Sequence, residues 1–374
     1  MRILQVARQF YPKIGGIESC VLNLSRGLVA RGHEVEVVTL DRDLRTRRLL
    51  DARAEIQSIP IKRISYFGPR RYPIAPSWLR FVDDFDVIHI HGIDFFIDSA
   101  ALGKALRVHR KPIVVTTHGG IFHTAAWLPV KKLYWRHVLR RSLASANAVI
   151  AVSDRDASLF SSIVPPHKLA TIPNGIDPVF SQVRDSRVRG RIVSVGRVST
   201  AKAIDQIIQL LANLAGEFQD LELVIAGPDE NGASDSLRRQ AAAHGMKAIV
   251  RIVGELSPFE LARLVASASL FISAAPHEGF GITTAEALSA GVPVLVTPTG
   301  IHEQIVQPRV NGWFWSGHPD ADATATLRQA LLLPDARLDE MQIAARKSAA
   351  PFDWNLITER YERVLESAYR TSVG

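Results

Sequence analysis

The chain has a single cysteine, Cys20, among 374 residues. That leaves no internal disulfide and no cysteine-based zinc site, and a reducing cytoplasm is the simplest compartment for it. No apolar run approaches the ~18 residues of a membrane-spanning helix. The start, Met1-Arg-Ile-Leu-Gln-Val, reads as a strand and meets Arg8 at once, unlike a secretory signal. There is no tandem repeat and no low-complexity tract. With 22% charged and 47% apolar residues, the composition is that of a globular chain, neither disordered nor collagen-like. At ~150 residues per domain, the length suits two domains.

Acidic residues are scarce in one region. The net charge is +8, but residues 1–180 hold 26 Lys/Arg against 15 Asp/Glu, and the remainder holds 19 against 22. Ala101–Arg141 carries nine basic residues and no acidic one. Such a patch attracts an anion: membrane phospholipid, diphosphate or nucleic acid.

Short apolar runs alternate with helical spacing in both halves. Strands are expected at Ile3–Ala7, Val35–Leu40, Asp86–His91, Ile113–Thr117, Ala148–Val152 and Leu169–Ile172, with a helix over Ile17–Arg31. After Pro178–Arg191, which has four arginines and reads as a linker, the pattern restarts. Strands follow at Ile192–Val195, Leu221–Ala226, Ala248–Val253, Leu270–Ser273 and Pro293–Val296, with a helix at Ile204–Leu214. This predicts an α/β chain of two βαβ domains, residues 1–180 and 190–350, with ligands at the carboxyl ends of both sheets and a cleft between them. A long helix at about 352–374 is expected to pack back on the first domain.

Four constellations sit at strand ends. Gly15-Gly16-Ile17-Glu18 opens a helix and either cradles a phosphate or merely makes a turn; its spacing fits neither G-x-G-x-x-G nor a P-loop. Thr117-His118-Gly119-Gly120 ends a strand, where His118 either meets a ligand or is a bonded structural histidine. His89-x-His91 lacks a third ligand at sensible spacing, so no metal is expected. Arg197 and Lys202 flank a strand-to-helix turn, as a diphosphate clamp or as two solvated cations. His277-Glu-Gly-Phe-Gly-Ile-Thr-Thr-Ala-Glu286 is the most specific. Gly279, Phe280 and Gly281 offer backbone N–H groups, and Glu286 can accept hydrogen bonds from a diol such as ribose. Paired carboxylates also suggest a glycosidase, which needs no phosphate clamp.

In Trp127–Arg141, Tyr134, Trp135, Val138 and Leu139 share one helical face, with Lys132, Arg136 and Arg140 mostly on the other. The segment is either a membrane-interface helix or a core-packed helix with a solvated face. Lys131, Lys132, Trp135, Arg136 and Arg140 are the candidate membrane contacts. No nucleic-acid reader motif is present, so nucleic acid is not expected as a partner.

Together, Gly15-Gly16-x-Glu18, Arg197 with Lys202, and Glu278-x7-Glu286 resemble the family 4 retaining glycosyltransferases of GT-B fold, over nearly the whole chain. Ile14-Gly-Gly, Arg71-Tyr-Pro-Ile-Ala-Pro-Ser77, His89-Ile-His-Gly-Ile-Asp-Phe-Phe96 and Thr117-His-Gly-Gly-Ile-Phe-His-Thr124 look like the α-mannosyltransferases of xanthan and acetan assembly. Those enzymes use GDP-mannose and a polyprenyl-diphosphate-linked cellobiose. The resemblance implies that Arg197 and Lys202 hold the donor diphosphate, Glu286 the ribose and Glu278 the transferred sugar. Gly15 and Gly16 would meet the phosphates, and His118 the sugar. Glu278, His118, Lys202 and Arg197 are then the catalytic set, with no metal or other cofactor and front-face retention. It also implies a peripheral enzyme on the cytoplasmic face of the inner membrane, with an anionic membrane surface as partner. One departure stands out: Ala201-Lys202-Ala203 replaces the Glu-Lys-Gly of many relatives. A glucosyl or N-acetylglucosaminyl donor, a phosphorylase, a nucleotide-sugar epimerase and a non-catalytic binding module are the alternatives.

Overall fold

The computed structural model describes residues 1–13, 15–44, 46–69, 72–119, 127–230 and 232–373. Of the motif positions quoted above, Ile14, Arg71 and residues 120–124 lie outside them. The chain divides into two units, Met1–Gly175 with Trp354–Gly374, and Ile176–Asp353.

The first unit is built on β1 (Arg2–Ala7), β2 (Glu34–Leu40), β3 (Arg53–Ile56), β4 (Ile59–Ile64), β5 (Val87–His91), β6 (Ile113–Thr116), β7 (Ala148–Ala151) and β8 (Leu169–Thr171). They pair in the order β3-β4-β2-β1-β5-β6-β7-β8, and only the β3–β4 pair is antiparallel. Parallel strands are covered on both faces, so their sequences are nearly continuous apolar runs. Leu4, Ile88 and Ile113 pack on one face, and Ile3, Val87 and Ile150 on the other. The helix Trp354–Val373 covers the second face through Ile357, Tyr361 and Leu365. Its Glu362 accepts hydrogen bonds from Arg31 Nε and His33 Nε2, each at 2.7 Å.

The second unit carries β9 (Arg191–Val195), β10 (Glu222–Ala226), β11 (Val250–Gly254), β12 (Leu270–Ser273), β13 (Val294–Val296) and β14 (Gly312–Phe314). All are parallel, in the order β11-β10-β9-β12-β13-β14. Ile192, Leu223, Leu270 and Leu295 form its core with Ile207, Leu211 and Met341.

In each sheet the strand order reverses beside the first strand, between β1 and β5 and between β9 and β12. A crevice opens at the carboxyl ends at such a point. The loops that follow these four strands carry Gly15–Gly16, Gly92, Gly196–Lys202 and Ala274–Gly281. Each unit therefore brings its own motif set to its own switch point.

Two expectations change. Pro178–Arg191 is not a linker. It belongs to the second unit, where Pro178–Gln182 is helical and Phe180 and Val183 are buried. Two of its arginines take carboxylate partners, Arg187 on Asp335 and Asp339, and Arg191 on Glu222. The β3–β4 hairpin was not anticipated. Its two-residue turn, Gln57-Ser58, has φ of 51° and 64° without glycine or asparagine, so the usual turn signal is missing. No helix among the described residues is long and apolar enough to cross a membrane.

Candidate active site

β9 ends against a close backbone contact. A Cβ on Gly227 would meet the Gly196 carbonyl oxygen at 1.9 Å, and a Cβ on Gly196 would meet Lys202 Cε at 3.2 Å. Two glycines thus let the ends of β9 and β10 close and the lysine stem lie over the turn. Lys202 Nζ bonds Glu278 Oε1 at 2.5 Å, with side-chain exposures of 21% and 15%. Arg197 does not join this pair; it is exposed and bonds Glu230 at 3.1 Å. The two cations expected as one clamp therefore each hold a separate carboxylate. Ala203, next to Lys202, is left-handed with φ 47°. This is a conformation that glycine adopts without strain and alanine does not.

The loop that carries Glu278 is fixed by its neighbours. Glu278 N donates to Thr299 Oγ1 at 3.2 Å, and Ile301 N donates to the Phe280 carbonyl at 2.8 Å. Gly300 has φ 61°, and a Cβ there would lie 2.5 Å from that carbonyl oxygen. The Phe280 ring is buried edge-on to Phe352, so it anchors the loop and any ligand contact falls to its backbone. Gly281 begins the helix Ile282–Ala290 with no side-chain cap. Thr284 N donates to the Gly281 carbonyl at 3.1 Å, and the Ile282 and Thr283 amides ahead of it suit an anion at the positive end of the helix dipole. A Cβ on Gly281 would meet His302 Nε2 at 2.6 Å. His302 donates Nδ1–H to the Thr297 carbonyl at 2.7 Å, which leaves Nε2 to accept from Thr284 Oγ1 at 2.9 Å. Burial holds this histidine below its usual range.

One turn into the same helix, Glu286 is half-buried and makes no hydrogen bond or ion pair among the described residues. Burial, and then the carboxylate of Asp177, push its carboxyl up to about 8. It is an acceptor pair that the protein itself does not satisfy.

In the first unit, Gly15 precedes the helix Gly16–Ala30, again with no side-chain cap. Glu18 folds back over it: a Cβ on Gly15 would meet Glu18 Oε2 at 2.4 Å, and the carboxylate bonds Lys13 at 2.9 Å. After β6, His118 and Gly119 have φ of 52° and 100°. Asp156 pins the start of this turn by accepting from Thr117 Oγ1 and from Val152 N, the latter at 3.2 Å. His91 Nε2 donates to Gln5 Oε1 at 2.6 Å. The amide oxygen can only accept, so His91 Nδ1 carries the lone pair and takes the His118 Nε2 proton at 2.9 Å. His118 Nδ1 is thereby left as an acceptor. Burial lowers the His118 imidazole to about 4, so it is neutral.

Similarity to known proteins follows the same division. The description Glycosyltransferase Family 4 matches residues 14–180, and Glycosyl transferases group 1 matches residues 184–348. The GDP-mannose:cellobiosyl-diphosphopolyprenol alpha-mannosyltransferase of Xanthomonas campestris is 35% identical over 96% of this chain and 95% of its own. The chain belongs to glycosyltransferase family 4. The protein of the same name from Komagataeibacter xylinus is 34% identical, over 98% of this chain and 93% of its own. A sucrose-phosphate synthase from Thermosynechococcus elongatus superimposes with a TM-score of 0.79 at 18% identity, covering 99% of both chains. The fold is GT-B, two α/β units on parallel sheets.

In this glycosyltransferase the basic segment differs from expectation at Trp135 and Val138. Trp135 is no surface contact: it is 8% exposed, with its ring 4.9 Å from that of Phe160 in the core. Leu139 is buried beside it. The exposed apolar residues are Trp127, Val130, Leu133 and Val138, at 69%, 55%, 63% and 44%. Lys132, Arg136 and Arg140 are exposed at a four-residue spacing, and Lys131 is half-buried. Sequence reasoning missed Thr299, His302, Asp156 and Gln5. Only Asp156 had a signal, as the acid three residues after the helix cap Ser153.

Proposed function

We propose that this glycosyltransferase moves an α-mannosyl group from GDP-mannose to a polyprenyl-diphosphate-linked cellobiose-type acceptor, with retention and without a metal ion. The observation that carries the reading is 35% identity over 96% of the chain to the X. campestris alpha-mannosyltransferase. The site chemistry supports it. Breaking a sugar–phosphate bond builds positive charge at the anomeric carbon and negative charge on the departing diphosphate. Lys202, Arg197 and the uncapped amides after Gly281 stabilise that diphosphate, a preorganised electrostatic role. Glu286 accepts from the ribose diol. Glu278, drawn off Lys202 when phosphate takes the ammonium, turns to the mannosyl hydroxyls. Gly15 and Gly16 present amides to phosphate, and the Nδ1 acceptor of His118 meets a sugar hydroxyl. Trp127, Val130 and Leu133 with Lys132, Arg136 and Arg140 rest on an anionic membrane surface, which brings the enzyme to a lipid-linked acceptor on the cytoplasmic face.

The test is product analysis with GDP-mannose, UDP-glucose and UDP-N-acetylglucosamine offered singly. Each is paired with a phytanyl-diphosphate cellobiose acceptor, with and without EDTA. Mannose transfer with an α linkage, indifferent to EDTA, is the expected result. Transfer from a UDP-sugar alone overturns the donor assignment, and loss of transfer with EDTA overturns metal independence.

A further inference from the structure

We infer that Cys20, His91 and His118 form a binding site for a thiophilic divalent cation, zinc first, and that its occupation switches transfer off. The inhibitory half rests on the sugar-contact role proposed above for His118; the binding half does not. A single cysteine excludes multi-cysteine zinc sites but not a mixed set assembled from three elements. Cys20 comes from the helix after β1, His91 from the end of β5 and His118 from the turn after β6. One ligating atom from each lies within 4.8 Å of the others. Two nitrogens on one tetrahedral zinc stand about 3.3 Å apart, and a nitrogen and a sulfur about 3.6 Å. The His91 Nδ1 to His118 Nε2 separation of 2.9 Å needs to open by a few tenths of an ångström. The thiol needs to close by about an ångström, the scale of one side-chain rotation.

A second observation is independent of those distances. Metal-bound histidines almost always donate their other ring N–H to a carbonyl or carboxylate, which fixes the tautomer and ring angle. His91 does so now, through Nε2–H to Gln5 Oε1 at 2.6 Å, with both residues buried. Its Nδ1 lone pair is already directed at the site. One thiolate and two imidazoles suit zinc or cadmium over magnesium or calcium. Binding releases the Cys20 thiol proton to solvent, while the His118 proton moves from Nε2 to Nδ1. That shift removes the acceptor which a sugar hydroxyl would use.

The experiment titrates metal-free full-length protein with cadmium and follows the thiolate-to-metal absorption band. The chain has one cysteine, so any such band reports Cys20. A band saturating at one equivalent is expected, weakened at least about tenfold in Gln5→Leu and more in His91→Ala. Zinc should inhibit transfer over the same concentration range and spare Cys20→Ala, whose basal transfer stays intact. Absence of the band, or a band equally strong in His91→Ala, overturns the site. A normal band without inhibition upholds the site and overturns the role given to His118.

Discussion

With the ribose role proposed for Glu286, stability and donor binding should pull in opposite directions. Its carboxyl is raised from 4.5 to about 8, first by burial and then by the Asp177 carboxylate. An acid raised in the folded state keeps its proton there after the unfolded chain has released it. The native form therefore binds the extra proton across the window from 4.5 to about 8, and stability falls as pH rises through it. At about 1.4 kcal/mol per pH unit, the penalty near neutral pH is about 3 kcal/mol. Glu286→Gln keeps the shape and abolishes the titration. Urea unfolding of the full chain should find the variant more stable by up to about 3 kcal/mol near neutrality. The gap should close toward pH 4.5. GDP binding should behave in reverse. In the parent it tightens as the carboxylate ionises, because a charged acceptor bonds a diol more strongly; in the variant it is weak and flat with pH. A stability difference that is constant with pH would refute the argument, as would equal GDP affinity in both proteins.

Three further perturbations test the rest of the site. Glu278→Gln and Lys202→Met should each cut transfer by roughly 100-fold or more and lower the thermal midpoint, because each leaves a largely buried charge unpaired. The double variant should lose less than the product of the two, because each single change strands its partner's charge; independent losses would separate their roles. Ala203→Gly should relieve the left-handed strain and raise stability by about 0.5–1 kcal/mol, read in denaturant unfolding; a destabilised variant would contradict the assigned backbone. Trp135→Ala should cost about 3 kcal/mol of stability, whereas Trp127→Ala should leave stability unchanged and weaken sedimentation with anionic phospholipid vesicles. The opposite pattern would return Trp135 to the surface.

Much of the fold was legible because parallel strands bury both faces. Runs such as Ile113–Val115 and Leu270–Ile272 are apolar throughout. The elements that escaped lack that signal. β4 contains Pro60, which pairs only with β3, because the register with β2 begins at Ile61. β14 is three residues long. Arginine density in 184–191 suggested solvent, yet Arg187 and Arg191 are satisfied by carboxylates distant in sequence. Trp135 and Trp127 show the same limit. A helical wheel separates the faces of a segment, but the packing of Phe160 decides which tryptophan is inside.

The candidate site was legible in residue type and only partly in partnership. Motif spacing located Lys202, Glu278, Arg197 and Glu286, and it suggested cations waiting for phosphate. In the folded chain three of these positions already have a carboxylate: Glu278 on Lys202, Glu230 on Arg197 and Glu18 over the amides at Gly15. An unpaired, half-buried ammonium would be costly, so the ligand-free protein supplies internal anions. A diphosphate then exchanges one anion for another and does not neutralise a bare charge. Its net gain is the difference between phosphate and carboxylate as acceptors, plus whatever the displaced carboxylate gains next. In the proposed mechanism that next partner of Glu278 is the sugar. The same exchange that admits the diphosphate therefore frees the carboxylate for the sugar, and an anion without a sugar should bind less tightly than the intact donor.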